Sequence, residues 1–205
     1  MISVVIPTIP GREEHLERAV AAYRQHTEDV EIIVETGHDC VGKGWQAGAE
    51  RARGEFIHLT ADDLEPHAGW WQPMADAVER GLCPCPVVLN PDGSLQSAGA
   101  VGWELQLAIP EDCAHTGWTT VPFMSREQWS LVDPMLPLHY CTDTWVSVRL
   151  GRHGIPTVVR TGSVFTHHNA APGRGAGMSE HARNIHDRAR FYDALDALDR
   201  EVATC

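Results

Sequence analysis

The first sixty residues alternate short apolar runs with helical stretches, and this order constrains the fold more than any other feature. Strand candidates lie at residues 3–6, 31–34 and 56–59. Between them, residues 13–26 and 45–53 carry apolar side chains at helical spacing. A β-α-β-α-β order of this kind predicts an α/β fold: a Rossmann-like, mostly parallel sheet with helices on both faces.

The rest of the chain is predicted to continue as α/β, with a change of pattern after residue 90. With 205 residues and 43% apolar content, the chain can bury the core of one globular domain. Short strand-like pieces between residues 95 and 120 predict a small β lobe. The other predicted elements are 69–80 (helix), 84–89 (strand), 125–131 (helix), 142–151 (helix), 157–159 (strand), 163–165 (strand) and 178–198 (helix).

Charge and cysteine content limit the partners and the compartment. The net charge of −12 argues against non-specific binding to nucleic acid or anionic membrane. Residues 149–190, however, hold seven arginines and five histidines against two acids, which suits an anionic ligand such as a diphosphate. The first apolar run is too short for a signal peptide or a membrane span, so we expect a cytoplasmic protein. The six scattered cysteines are expected to be reduced thiols.

Two adjacent carboxylates, Asp62 and Asp63, follow the third predicted strand. Open α/β sheets bind ligands at the carboxyl ends of their strands. Carboxylate oxygens are hard donors that suit Mg²⁺ or Mn²⁺ carrying a substrate phosphate. A solvated Asp-Asp turn is the alternative that the local sequence leaves open.

From residue 2 to about residue 169 the chain resembles the family-2 glycosyltransferases with the GT-A fold. Four stretches carry the likeness: Ser-Val-Val-Ile-Pro-Thr at 3–8, Thr-Ala-Asp-Asp at 60–63, Thr-Asp at 142–143 and Val-Phe-Thr-His at 164–167. They are similar, in order, to the first strand, the metal motif, the base motif and a late strand ending in a metal-binding His. In three places this chain departs from the family pattern, with Thr60 for Asp, Thr142 for Glu, and Glu35-Thr36 for Asp-Asp.

The resemblance implies a metal-dependent inverting glycosyltransferase. The donor would be a UDP-, GDP- or dTDP-sugar and the cofactor Mn²⁺ or Mg²⁺. The chain would form a single GT-A domain, with a nucleotide-sugar-binding half at 1–90, an acceptor-side half at 91–170, and a mobile loop and C-terminal helix at 171–205. The acceptor stays open between a glycan, a protein, a small molecule and a modified nucleobase.

Metal and base residues follow from the same resemblance. Asp62 is expected to bind the metal directly, with His167 as a further ligand and His168 as its register alternative. Asp63 is expected to bind through water or to orient the donor, and helix capping is its alternative. Asp143 is the expected general base, because a helix N-terminus favours an anion; a capping role is again the alternative.

Nucleotide recognition is expected from residues in the loops at the same edge. Backbone at Pro7 and Thr8 is expected to approach the ribose and base, and Glu35 to accept a hydrogen bond from one of them. Arg12 belongs to the same predicted set. Cationic side chains are expected on the phosphates: Lys43 directly, and Arg174 from a loop that closes over the diphosphate.

Other functions compete with glycosyl transfer at this stage. A nucleotide-sugar-binding protein without transfer activity is favoured by the missing carboxylates at Thr60 and Thr142. A nucleotidyltransferase would need a more basic, glycine-rich loop than Thr-Ile-Pro-Gly-Arg at 8–12. A metallohydrolase is disfavoured because the histidines lack zinc-site spacing.

Overall fold

The computed structural model describes residues 1–101, 104–105, 108–168 and 180–203. The strands are β1 Ile2–Pro7, β2 Val30–Glu35, β3 Phe56–Leu59, β4 Leu64–Pro66, β5 Cys83–Leu89, β6 Leu95–Ser97, β7 Ala100–Val101, β8 Glu104–Leu105, β9 Phe123–Ser125 and β10 Thr157–His167. The helices are α1 Glu13–His26, α2 Val41–Arg51, α3 Trp71–Glu79, α4 Arg126–Val132, α5 Thr142–Arg152 and α6 Glu180–Ala203. The predicted α/β class is therefore confirmed.

Within the described residues, the strands form two four-stranded sheets and one two-stranded ribbon. In the first sheet the order is β2-β1-β3-β9, and β1 pairs in parallel with both β2 and β3. In the second the order is β4-β10-β5-β6, with β10 and β5 parallel. The remaining pairs are antiparallel, so the sheets are mixed. Parallel pairing predominates among β1, β2 and β3, as the β-α-β-α-β order predicts, because helical crossovers return each strand in the same direction.

Strand β1 separates two packed layers, which explains its continuous apolar sequence. Val5 belongs to a core cluster built with side chains of α2, α4, α5 and α6. Val4 and Ile6 belong to a second cluster, with side chains of α1 and α3. Successive residues of a strand point to opposite faces. Helices therefore cover both faces of the first sheet, and the core lies on each side of it.

Helix α2 lies against β1 at glycine positions. A Cβ on Gly48 would stand 2.2 Å from a methyl of Val5, and one on Gly44 would stand 2.9 Å from Pro7 Cβ. The helix begins at Val41, four residues before the predicted start at residue 45. Its first turn, Val41-Gly-Lys-Gly, lacks the apolar spacing on which the prediction was based. These glycines bring the start of α2 to the carboxyl end of β1.

A short strand follows the aspartates, where the sequence indicated a turn. Strand β4 pairs antiparallel with the end of β10, with Leu64 opposite His167. The two strands predicted at 157–159 and 163–165 are one strand, β10, with an irregularity between Arg160 and Val164. This pairing brings residues a hundred positions apart in the chain to the carboxyl end of β3.

Candidate functional site

The turn that carries the aspartates is held on both sides of the first sheet. The Thr60 amide donates to Val5 O at 3.1 Å, and Trp45 Nε1 on α2 donates to Thr60 O at 2.8 Å. On the other face, the buried Tyr23 hydroxyl lies 2.9 Å from Thr60 Oγ1 and 2.9 Å from His58 Nε2. Thr60, where the resembled family has an aspartate, thus faces the core between the sheet and α1. These anchors fix the direction in which Asp62 and Asp63 point.

Asp62 is buried and strongly bound by groups from the loop after β1. Arg12 Nε lies 2.8 Å from Asp62 Oδ2 and Arg12 Nη2 lies 2.6 Å from Asp62 Oδ1. Thr8 Oγ1 donates to Asp62 Oδ2 at 2.6 Å. Bidentate arginine–carboxylate pairs combine charge with fixed geometry. Both oxygens of Asp62 are therefore engaged by protein donors.

Asp63 is shared between Arg12 and His167. Arg12 Nη2 lies 2.9 Å from Asp63 Oδ2, while His167 Nε2 lies 3.4 Å from Asp63 Oδ1. Burial opposes ionisation of Asp63, but the hydrogen bond and charge of His167, together with those of Arg12, lower its pKa below the ordinary value. Asp63 does not cap a helix, because β4 follows it and α3 begins at Trp71. The carboxylate is thus held ionised beside an imidazole nitrogen.

The second ring nitrogen of His167 is fixed by β6. His167 Nδ1 lies 3.0 Å from Gln96 Oε1. An amide oxygen only accepts hydrogen bonds, so Nδ1 is the protonated nitrogen in this contact; Nε2, on the Asp63 side, is a ligand atom when it carries no proton. Histidines that bind metals usually donate their other N–H to such an acceptor. The donor set of Asp63 and His167 therefore fits a divalent cation such as Mn²⁺.

His168, the register alternative, has different partners. Its backbone amide donates to Asp63 O at 2.9 Å, but its side chain lies at Glu65, with Nε2 3.0 Å from Glu65 Oε1. Arg18 on α1 approaches the same carboxylate at 3.0 Å. His168 thus contributes its backbone to the turn, while His167 contributes its ring.

Asp143 lies in the first turn of α5. Burial raises its pKa to about 6, although its Oδ1 accepts the Thr144 amide at 2.7 Å. The residue before the helix, Cys141, has a left-handed backbone and no side-chain cap. Asp143 therefore provides part of the capping, by accepting an amide of the first turn. Its raised pKa makes it a stronger base than an ordinary aspartate.

Contacts through the start of α2 connect α5 to the aspartate turn. Gly42 donates its amide to Leu138 O at 2.8 Å, and a Cβ on Gly42 would meet Leu136 O and Thr142. Three residues further along the same helix, Trp45 binds Thr60. The N-terminal turn of α2 therefore lies between the segment that leads to Asp143 and the turn that carries Asp62.

The remaining predicted nucleotide-binding residues are divided between this edge and the surface. Pro7 lies against the start of α2, and Glu35 ends β2 with its backbone oxygen bound by the Thr8 amide at 2.9 Å. The Glu35 carboxylate is paired with Arg51 and, at 2.9 Å, with His38. Lys43 is exposed and pairs with Asp39 at 2.8 Å. Arg174 lies outside the described residues.

In the described ranges no group of three His, Cys, Asp or Glu side chains forms a complete cage for a metal ion. Mg²⁺ usually keeps several waters and takes one or two carboxylates plus substrate phosphates. Two protein ligands, Asp63 and His167, are compatible with that mode of binding. The site would then be completed by water and by a phosphate-bearing ligand.

Sequence reasoning missed three residues that organise the site: Gln96, Tyr23 and Asp187. Gln96 lies in a short strand without any distinguishing pattern. Tyr23 stands in the apolar stripe of α1, where a buried hydroxyl in need of a partner was the available signal. Asp187 is a buried carboxylate of α6 that accepts the amides of His139 and Tyr140, at 2.8 and 3.0 Å, just before α5. Its neighbours in sequence do not mark it.

Comparison with known proteins bears out the resemblance. Residues 3–101 match the model described as Glycosyl transferase family 2. Comparison with curated protein sequences finds no match. No helix within the described parts of the chain combines the length and apolar character that crossing a membrane requires. The cytoplasmic location stays a prediction.

Two solved structures share the fold. One is described as GalNAc-T7 with UDP, GalNAc and Mn²⁺; it has a TM-score of 0.68 and 14% identity, and the match covers 84% of this chain and 44% of that one. The other is S. aureus TarS, with a TM-score of 0.62 and 12% identity, and the match covers 82% of this chain and 36% of that one. The matched part therefore spans less than half the length of either structure. At these identities the likeness shows the fold, while the family match over residues 3–101 supports glycosyl transfer. The predicted family resemblance is thus confirmed: the chain has a GT-A fold, and residues 3–101 match glycosyl transferase family 2.

Proposed function

We propose that this chain transfers a sugar from a nucleotide-sugar donor to an acceptor hydroxyl, with inversion and with a divalent cation. One observation supports it most: Asp62, Asp63 and His167 converge where β1 and β3 end, within the GT-A fold. The division into a donor half at 1–90 and an acceptor half at 91–170 belongs to the same proposal, as does the donor class of UDP-, GDP- or dTDP-sugar. The solved GalNAc-T7 structure contains UDP and Mn²⁺, in line with such a donor and metal.

Asp63 and His167 are the side chains we propose to hold the cation. The sequence resemblance favours Asp62 as the direct ligand, but Asp62 is engaged by Arg12 and Thr8 on both oxygens. Asp63 Oδ1 instead lies 3.4 Å from His167 Nε2, a second possible ligand atom. When bound, the cation would act as a Lewis acid that offsets the negative charge of the leaving diphosphate. Asp62 would orient Arg12 and Thr8 rather than bind metal.

Asp143 is the proposed general base. The acceptor hydroxyl would pass its proton to an oxygen of Asp143 while its own oxygen forms the bond to the anomeric carbon. The bond from that carbon to the diphosphate breaks in the same displacement, so one step with one base inverts the centre, by analogy with glycosidases. A base pKa of about 6 is close to neutral pH, where general bases work best.

The nucleotide would occupy the loops at the same edge. We propose that Pro7 and Thr8 approach the ribose and base, and that Glu35 is held for recognition by Arg51 and His38. Lys43 and Arg174 remain proposed phosphate contacts. The burial of Thr60 against Tyr23 weakens the argument for an inactive binding protein, because the missing carboxylate falls in the core.

Release of nucleoside diphosphate from UDP-, GDP- and dTDP-sugars tests the proposal without a known acceptor, since water can replace it. We expect release with one donor class, dependent on Mn²⁺ or Mg²⁺ and abolished by a chelator. Asp143→Asn should lower the rate by roughly 10²–10⁴, and Asp63→Asn should weaken metal dependence. Asp196→Asn, a change at an exposed position of α6, is the matched control and should leave the rate unchanged. Binding of donor with no release by any variant would favour the binding protein instead.

A further inference from the structure

Arg12 distributes its guanidinium unequally between the two aspartates. Its Nε approaches both oxygens of Asp62, at 3.0 and 2.8 Å, and Nη2 approaches Asp62 Oδ1 at 2.6 Å. The contact from the same Nη2 to Asp63 Oδ2 is at 2.9 Å. The link to Asp62 is therefore bidentate, while the link to Asp63 is a single shared contact.

These side chains are largely shielded from water, so the electrostatic interactions between their charges are stronger than at the protein surface. The side chains of Arg12, Asp62 and Asp63 are 13%, 5% and 7% exposed. Two adjacent buried carboxylates repel each other unless a cation lies between them. Arg12 supplies that cation. The hydrogen bonds and charge interactions of its guanidinium with Asp62 and Asp63 outweigh the effect of desolvation and raise the pKa of Arg12. Counted over these three side chains, the cluster carries one net negative charge.

We infer that Arg12 is a built-in counter-cation that competes with the catalytic divalent cation for Asp63 until a nucleotide diphosphate is bound. A divalent cation added alone would leave the three side chains with one net positive charge in a buried place. A diphosphate brings the opposite charge and further oxygen ligands. Arg12 would keep its bidentate pair with Asp62 and release its single contact with Asp63. Metal and nucleotide would therefore each strengthen the binding of the other.

This inference rests on the proposed metal site at Asp63 and His167, and binding of Mn²⁺ alone to the full chain tests it by calorimetry. Removing the positive charge should tighten the site, so Arg12→Gln should bind Mn²⁺ about tenfold more tightly than the wild type, or better. Arg12→Lys keeps the charge and should stay within about threefold of the wild type. Asp63→Asn in the Arg12→Gln background should abolish the gained affinity. Equal or weaker binding by Arg12→Gln would overturn the inference.

A measurement on the wild type keeps the test decisive if Arg12→Gln does not fold. Mn²⁺ affinity is measured with and without each of the uridine, guanosine and thymidine diphosphates. We expect a tightening of at least about tenfold with one of them. Equal affinity with and without all three overturns the inference. If Mn²⁺ binds to no variant and diphosphate release needs no cation, the proposed metal site is refuted together with the role of Arg12. If release needs the cation but Arg12→Gln does not bind Mn²⁺ more tightly, only the role of Arg12 is refuted.

Discussion

Replacing Asp143 with asparagine should make the protein more stable at neutral pH while it removes the proposed base. Burial raises the pKa of Asp143 from 3.8 to about 6. A carboxyl that is held in this way costs folding free energy whenever it is ionised, since the unfolded chain hydrates the charge fully. Asparagine has the same shape and no charge. Its Oδ1 can still accept the Thr144 amide that Asp143 accepts at 2.7 Å.

The expected gain follows from the distance between the folded and unfolded pKa values. Each pKa unit is about 1.4 kcal/mol, so the full penalty for ionised Asp143 is about 3 kcal/mol. The N-terminus of α5 favours the anion by about 0.3–1 kcal/mol, and Asp143 is only partly buried, so we expect a gain of about 1–3 kcal/mol.

The sign of the pH dependence distinguishes this cause from others. The folded protein binds the Asp143 proton more tightly than the unfolded chain does, so its contribution to stability is largest below pH 4 and is lost as the pH rises through about 6. The advantage of Asp143→Asn should therefore be full at pH 7 and absent near pH 4. The wild-type rate should fall about tenfold per pH unit below about pH 6, because only ionised Asp143 accepts a proton.

Urea unfolding followed by tryptophan fluorescence at pH 7 and near pH 4 measures the stability change. Asp196→Asn on the exposed side of α6 is the matched control and should change stability by less than about 0.5 kcal/mol. A variant that is no more stable than the wild type at pH 7 would refute the reasoning. So would a gain that persists unchanged at pH 4.

Three further changes test how the site is held. Tyr23→Phe should cost about 1–3 kcal/mol in urea unfolding, because it leaves two buried polar atoms without their hydroxyl partner. Gly48→Ala should destabilise by more than about 2 kcal/mol, since its Cβ would stand 2.2 Å from a β1 methyl; Gly151→Ala, which meets no atom within 4 Å, should stabilise by up to about 1 kcal/mol. Asp187→Ala should cost about 2–4 kcal/mol and lower the rate, because two part-buried amides before α5 lose their buried acceptor. Asp187→Asn should recover most of both, as measured by unfolding and diphosphate release.

Local patterns predicted the first half of the fold well, for a physical reason. Strand β1 has both faces buried, so Val4, Val5 and Ile6 are all apolar, and α1 shows the 3.6-residue stripe of a helix packed on one side. Such patterns are set by neighbours within a few residues. Boundaries were less certain: α2 begins earlier than predicted, because glycines that look like loop residues are needed for its close approach to Val5 and Pro7.

The position of the candidate site at the sheet edge was also predictable, while the contacts that hold its members were not. Two acids after a buried strand predict a ligand site at the sheet edge. Which of Asp62 and Asp63 is available to a ligand depends on Arg12, fifty residues earlier in the chain, and on His167, over a hundred residues later. A single sequence contains no signal for such pairings.

The sequence by itself determined the α/β class, the order of the first strands and helices, and the residue types at the sheet edge. Burial and chain connectivity determine which residue types occur at neighbouring positions, so these features can be recognised locally. Only the tertiary structure decided that β4 pairs with β10, that Gln96 orients His167, and that Asp187 anchors the segment before Asp143. These contacts join segments that are distant in the chain. Their geometry depends on how whole layers pack, and a polar side chain that packing satisfies looks in the sequence like one that water solvates.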